Sequence, residues 1–108
     1  MKLAIIILER IELLEDLLSA FLEIGIEDAN VLDSSAMGHI ISENIPIFAG
    51  LMDAFAGSSP IRKTIIFTVS NEMKEKVIEV SKDICSDIEE EKSGTLCFLP
   101  LEDIIVLG

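Results

Sequence analysis

Residues 2–24 read KLAIIILERIELLEDLLSAFLEI, and the hydrophobic period changes part-way through them. From Lys2 to Leu8 apolar and β-branched residues follow one another, which is the pattern of a buried strand. From Arg10 onward Ile11, Leu14, Leu17, Leu18, Phe21 and Leu22 recur at helical spacing, opposite Glu12, Glu15, Asp16, Ser19 and Glu23. Gly25 then stands where helices commonly close through a left-handed residue. A strand feeding a helix is half of a βαβ unit.

Working outward, the same succession returns. A second strand is expected around Ala29–Ser35 and a third over 62–69, RKTIIFTV. Ser70 or Asn71 is placed to cap a second helix whose inward stripe is Met73, Val77, Val80 and Ile84. That helix should end near Ser86, because the acidic run DIEEEK at 87–92 would oppose the helix dipole. A fourth strand, TLCFL at 95–99, follows Gly94, and LEDIIVLG after Pro100 suggests a short edge segment. The order is βαββαβ. It predicts one α+β domain over 1–108: a ferredoxin-like, antiparallel four-stranded sheet with two helices on one face.

Two helices cover one face of such a sheet, and a strand with one wet face should alternate apolar with polar residues. Ala4, Ile5, Ile6 and Ile7 do not alternate, nor do Ile65, Ile66 and Phe67, nor Leu96, Cys97, Phe98 and Leu99. Something must cover the second face, and another copy of the chain serves best. The expectation is an oligomer packed through its sheets.

Between the second and third strands lies a long connection, 36–61, that is unusually apolar: residues 43–60 read ENIPIFAGLMDAFAGSSP. Phe48, Leu51, Met52 and Phe55 fall at i, i+3, i+4 and i+7, predicting a short helix over 48–56 with one apolar stripe. The stripe either folds back on the assembly or serves as a helix-in-groove ligand for a partner protein.

Twenty acidic against eight basic residues give a formal charge of −12, which argues against nucleic acid and against anionic membrane surfaces. No apolar run is long enough to span a bilayer, and MKLAIIILER has one lysine and no small-residue cleavage site. A cytoplasmic location is expected. Cys85 and Cys97 lack metal-ligand spacing and read as buried small hydrophobes, so no metal site is assigned. His39, the one histidine, reads either as a solvated loop residue or as a ligand contact that titrates near neutral pH. Asp33 and Ser35 lie near it in sequence, but short-range spacing alone does not make a triad, and no catalytic residue is assigned.

The architecture, with its long connection, resembles the PII signal-transduction family of nitrogen regulatory proteins. SGTLCFLPLEDII at 93–105 is similar to that family's glycine-rich segment followed by strand, Leu-Pro and an acidic-apolar tail. VLDSSAMGH at 31–39 resembles the strand that leads into the family's T-loop, and GIEDANV at 25–31 the opening of its second strand. The resemblance implies a homotrimer with sheets facing inward, adenine nucleotides bound in clefts between subunits, and a T-loop that docks on a partner protein. It places Gly38 at the second glycine of the T-loop motif, Ala36 at the first, His39 at the arginine and Ile40 at the glutamine. Asn30 falls at the threonine by the base, beside a strand that ends at Ser35. Gly94 matches the second glycine of the phosphate segment, where Lys92 replaces the first and Thr95 the lysine.

The departures matter as much as the matches. Leu101–Gly108 contain no basic residue, so the arginines that grip phosphates in the family are missing, and a triphosphate loses most of its charge-assisted hydrogen bonds. Arg62, Lys63 and Lys92 compensate in part if they face the cleft. The chain has no tyrosine, so it lacks the residue modified in many T-loops.

The function expected is therefore signalling without catalysis: a trimer that binds a small effector and acts through the 36–61 loop. The alternatives are a metal-handling trimer of the divalent-cation-tolerance type and a structural trimer without a ligand. An acylphosphatase-like enzyme would need an arginine cradle, and Arg10 and Arg62 are the only arginines.

Overall fold

The computed structural model describes residues 1–44, 60–86 and 92–108, the side chains of 42–44 excepted. Its elements are β1 (Lys2–Leu8), a 3-10 turn (Ile11–Leu13), α1 (Leu14–Glu23), β2 (Asn30–Ser35), α2 (Met37–Asn44), β3 (Ile61–Val69), α3 (Lys74–Cys85) and β4 (Gly94–Pro100). The strands form one antiparallel sheet in the order β2-β3-β1-β4, and the fold is α+β and ferredoxin-like. The predicted helix over 48–56, with Phe48, Leu51, Met52 and Phe55, lies outside the described residues, as do residues 87–91.

The sheet's two faces differ because side chains alternate along each strand. Ala4, Ile6 and Leu8 of β1 and Ile65, Phe67 and Val69 of β3 point to one face and are buried. Leu17 and Phe21 of α1 and Val77 of α3 close this core from above. Phe21 and Phe67 meet with ring centroids 5.1 Å apart and planes tilted by 51°, a favoured aromatic arrangement.

α1 ends as its sequence suggests. Gly25 has φ +101°, its N–H donates to Leu22 O, and Ile26 N–H donates to Phe21 O. This is the Schellman closure, which satisfies the last free carbonyls and turns the chain toward β2. At α3, Ser70 Oγ accepts the N–H of Met73, so Ser70 caps the turn ahead of a helix that begins at Lys74. The helix ends at Cys85 with Ser86 as its cap.

The opposite face carries Leu3, Ile5 and Ile7 of β1, aligned with Ile66 of β3, Leu32 of β2, and Cys97 and Leu99 of β4. Neither α1 nor α3 covers it, and Ile7 is 38%, Leu32 46% and Leu99 45% exposed. The two-faced strands thus leave an apolar surface open among the described residues.

Three expectations are corrected. Residues 37–44 form a helix where the sequence reading placed the start of a loop. The tail after Pro100 is not a strand: Leu101 N–H donates to Met1 O, and Ile105, Val106 and Leu107 stand exposed. Cys97 is exposed and Cys85 half-buried. Cys97 shares the open face with Ile5, opposite the helices, and its thiol donates to Ile5 O.

Candidate functional site

Most of the residues assigned from sequence fall into two groups at opposite edges of the sheet, with Arg62 and Lys63 on the inner strand β3 between them. Asn30 and Ser35 bound β2, an edge strand, and Ala36, Gly38 and His39 follow at its exit. Lys92, Gly94 and Thr95 stand at the start of β4, the other edge. The register runs Asp33, Lys63, Leu8, Gly94 across the four strands, so two strands separate the groups. At about 4.8 Å per strand, roughly 14 Å lies between them. Asn30 is also at the far end of β2 from Ser35. One chain does not bring these residues into one pocket.

The β2 group sits on backbone geometry. Ala36 N–H donates to Pro60 O, which ties together the two ends of the long connection. His39 N–H and Ile40 N–H both donate to Ala36 O, opening α2. Gly38 is buried within the first turn of this helix and His39 is half-exposed, so neither lies on the extended loop expected from the resemblance.

The three cations proposed to serve a phosphate are engaged by carboxylates. Lys63 pairs with Asp33 across the β2–β3 ladder. Glu9, just beyond the end of β1, sets Oε1 3.4 Å from Arg62 and Oε2 3.4 Å from Lys92. Glu9 is 12% exposed, so its charge is largely removed from water and depends on these partners. Nothing in the sequence marked Glu9, because its partners are distant along the chain.

Ser93 holds the β4 group in place. Its Oγ donates to Cys85 O at 3.0 Å, while its own carbonyl accepts the N–H groups of Glu9 and Arg10 at 2.8 and 3.1 Å. The end of α3 and the exit of β1 are thereby joined at one buried serine. Gly94 follows, and its need is steric: a Cβ there would stand 2.6 Å from Ile7 O.

A cavity of about 530 Å³ lies between α3 and the β1–β4 side of the sheet, on the helix face. Leu8, Ile78, Leu96 and Phe98 are among its apolar walls, with Lys82, Ser86, Lys92 and Ser93 gathered at one end. Cys85 also lines it, and burial raises the thiol's pKa above the ordinary value. The helical stripe read from sequence, Met73, Val77, Val80 and Ile84, does pack on the core. The residues beside that stripe, Ile78, Ser81 and Cys85, instead line the cavity, and the sequence reading passed over them as a site.

Among the described residues no group of three or more His, Cys, Asp or Glu is arranged to hold a metal ion. No described helix is long and apolar enough to cross a membrane. No family model matches the sequence, and no curated protein matches it.

Proposed function

We propose that the chain works as a cytoplasmic, trimeric, non-enzymatic regulator of the PII type, which takes a small effector between subunits and acts on a protein partner through the 36–61 connection. The observation that carries this reading is the open apolar face of Leu3, Ile5, Ile7, Ile66 and Leu99 on a ferredoxin-like sheet. Exposed apolar surface of this continuity marks an association surface. The separation of the two residue groups supports the same reading. A cleft that uses Gly38 and His39 together with Lys92 and Gly94 needs the β2 edge of one protomer beside the β4 edge of the next.

The charges favour an effector less anionic than ATP. Arg62, Lys63 and Lys92 already have carboxylate partners, and a triphosphate must displace Asp33 and Glu9 to reach them. Adenosine or AMP meets a smaller electrostatic cost on a chain of charge −12.

Light scattering and native mass spectrometry test the assembly, and calorimetry with adenosine, AMP, ADP and ATP tests the effector. A trimer that binds one of these at three equivalent sites is expected. A monomer across the micromolar range, or a trimer indifferent to all four, overturns the reading.

A further inference from the structure

α3 leaves the inner face of β4 half open. Leu96 and Phe98 stand opposite Ile6 and Ala4 in the β1–β4 ladder, so they point to the helix side. They are only half-buried, whereas Ile6 and Ala4 are closed off from water. The gap above them is the cavity of about 530 Å³, within the ~300–1,000 Å³ range of small-molecule sites. From Gly94 to Phe98 the strand rises by four residues, so the gap runs for roughly 13 Å.

Ser81 supplies a second, independent observation. It lines the same cavity from α3, is 9% exposed, and its Oγ has no hydrogen-bond partner. A buried hydroxyl without a partner is costly, and native proteins seldom leave one without a reason. A hydroxyl both donates and accepts, so it pairs with an uncharged group as readily as any side chain does.

The cavity is not built for an ion of either sign. Burial raises the pKa of the Cys85 thiol in its wall, so a negative charge is disfavoured there. α3 brings the negative end of its dipole toward Ser86. Lys82 and Lys92 stand exposed at the same end, and the sequence between Ser86 and Lys92 adds Asp87, Glu89, Glu90 and Glu91. Charges of both signs thus belong to that end, which selects neither an anion nor a cation. The specific polar group is Ser81.

From this we infer that the cavity between α3 and β4 binds a neutral, largely apolar molecule with one hydroxyl group, of the medium-chain alcohol class. Its apolar part lies along Ile78, Leu96 and Phe98, and its hydroxyl pairs with Ser81 Oγ. Lys92 and Gly94 line this cavity and also border the cleft proposed between subunits. Binding is therefore counted per chain, and the mass of the protein is measured in the same samples.

1-Decanol, decanoic acid and decylamine, titrated into the full chain by calorimetry at neutral pH, share an alkyl length and differ in charge. One decanol per chain is expected, with the acid and the amine each weaker by about tenfold, because an ion loses its hydration without gaining a partner. Ser81→Ala should weaken decanol by about fivefold, the scale of one hydrogen bond, while keeping or raising the Tm of the free protein. Ile78→Trp, which fills the gap from α3, should abolish binding. In methyl NMR decanol should shift Ile78 and Leu96 before Ile5 and Ile66. A monomer that binds decanol in this way counts against the cleft and for the cavity; a trimer that does not bind it counts against the cavity alone. Equal or tighter binding of the acid or the amine, indifference to Ser81→Ala, or shifts first at Ile5 and Ile66 on the open face each overturns the assignment.

Discussion

Gly94 lies so close to Ile7 that a Cβ on it would sit 2.6 Å from the Ile7 carbonyl oxygen and 3.2 Å from the Cα of Leu8. Both neighbours are backbone of β1, which cannot yield as the tip of a side chain would. Gly94 is not among the positive-φ glycines, so the requirement is close approach between strands. Gly94→Ala should therefore destabilise the fold by about 1–3 kcal/mol, the range for forcing extra volume into packed structure. Urea unfolding checks this. An unchanged midpoint would show that β4 shifts freely and that the glycine serves something other than the ladder.

Ile5 and Ile6 are adjacent in the chain and face opposite ways, which makes them a controlled pair. Ile6 is 4% exposed in the core, and Ile6→Ala should cost about 2–4 kcal/mol at any protein concentration. Ile5 lies on the open face, so Ile5→Asp should leave the chain folded and dissociate the proposed assembly. Light scattering with circular dichroism reads both quantities. If Ile5→Asp keeps the wild-type mass, the open face is not the contact between copies.

Glu9 serves Arg62 and Lys92 together, so Glu9→Gln removes the carboxylate that both cations share. Lys92 is 67% exposed, and its share of the pairing is small. The expected loss is on the order of 1 kcal/mol, carried mainly by Arg62. The same change should raise affinity for inorganic pyrophosphate, measured by calorimetry at low and high salt. Pyrophosphate binding that is equally weak in both proteins would remove Arg62 and Lys92 as anion ligands.

The two thiols should separate by reactivity. Burial raises the Cys85 pKa, because the thiolate is disfavoured beside Leu8 and Ile78. Its folded value lies above the unfolded one, so the stabilising contribution is complete below the ordinary thiol pKa of about 8.5 and fades as pH rises through the folded value. Alkylation of Cys97→Ser protein, which reports Cys85 alone, should show a midpoint above that of the same thiol in the unfolded chain. A midpoint at or below the ordinary value would mean that the cavity is more polar than its walls indicate.

How much of this was legible in the sequence depends on how local the cause was. The strand of β1, most of the stripe of α1 and the closure at Gly25 follow from neighbours within a few residues and appear as read, whereas Ile11 and Leu22 of that stripe stand exposed. The open face was also legible, because Ile5 and Ile7 break the alternation a wet strand requires. Cys97 was misjudged by residue type, whereas its parity with Ile5 in the ladder decides its exposure. α2 was missed because MGHIISEN contains a glycine and weak helix formers and is only eight residues long. The tail IIVL has strand composition but pairs with no described strand. Glu9 and Ser81 were illegible, because each acquires its role from residues that only folding brings near.

Arg10 and Glu12 give a last test at the exit of β1. Arg10 donates to Glu12 Oε1 from Nε at 3.0 Å and from a terminal nitrogen at 2.8 Å, and its other terminal nitrogen is buried without a partner. The Glu12 carboxyl is held below its ordinary value of 4.5, first by its own backbone N–H and then by Arg10. A lowered folded pKa contributes stability above the unfolded value and loses it as pH falls through the folded one. Arg10→Ala should move the Glu12 titration, followed by carboxyl-carbon NMR, upward but still short of 4.5, because the backbone contribution remains. Recovery of the full ordinary value would make Arg10 the dominant cause and place the 3-10 turn's N–H groups out of reach of the carboxylate.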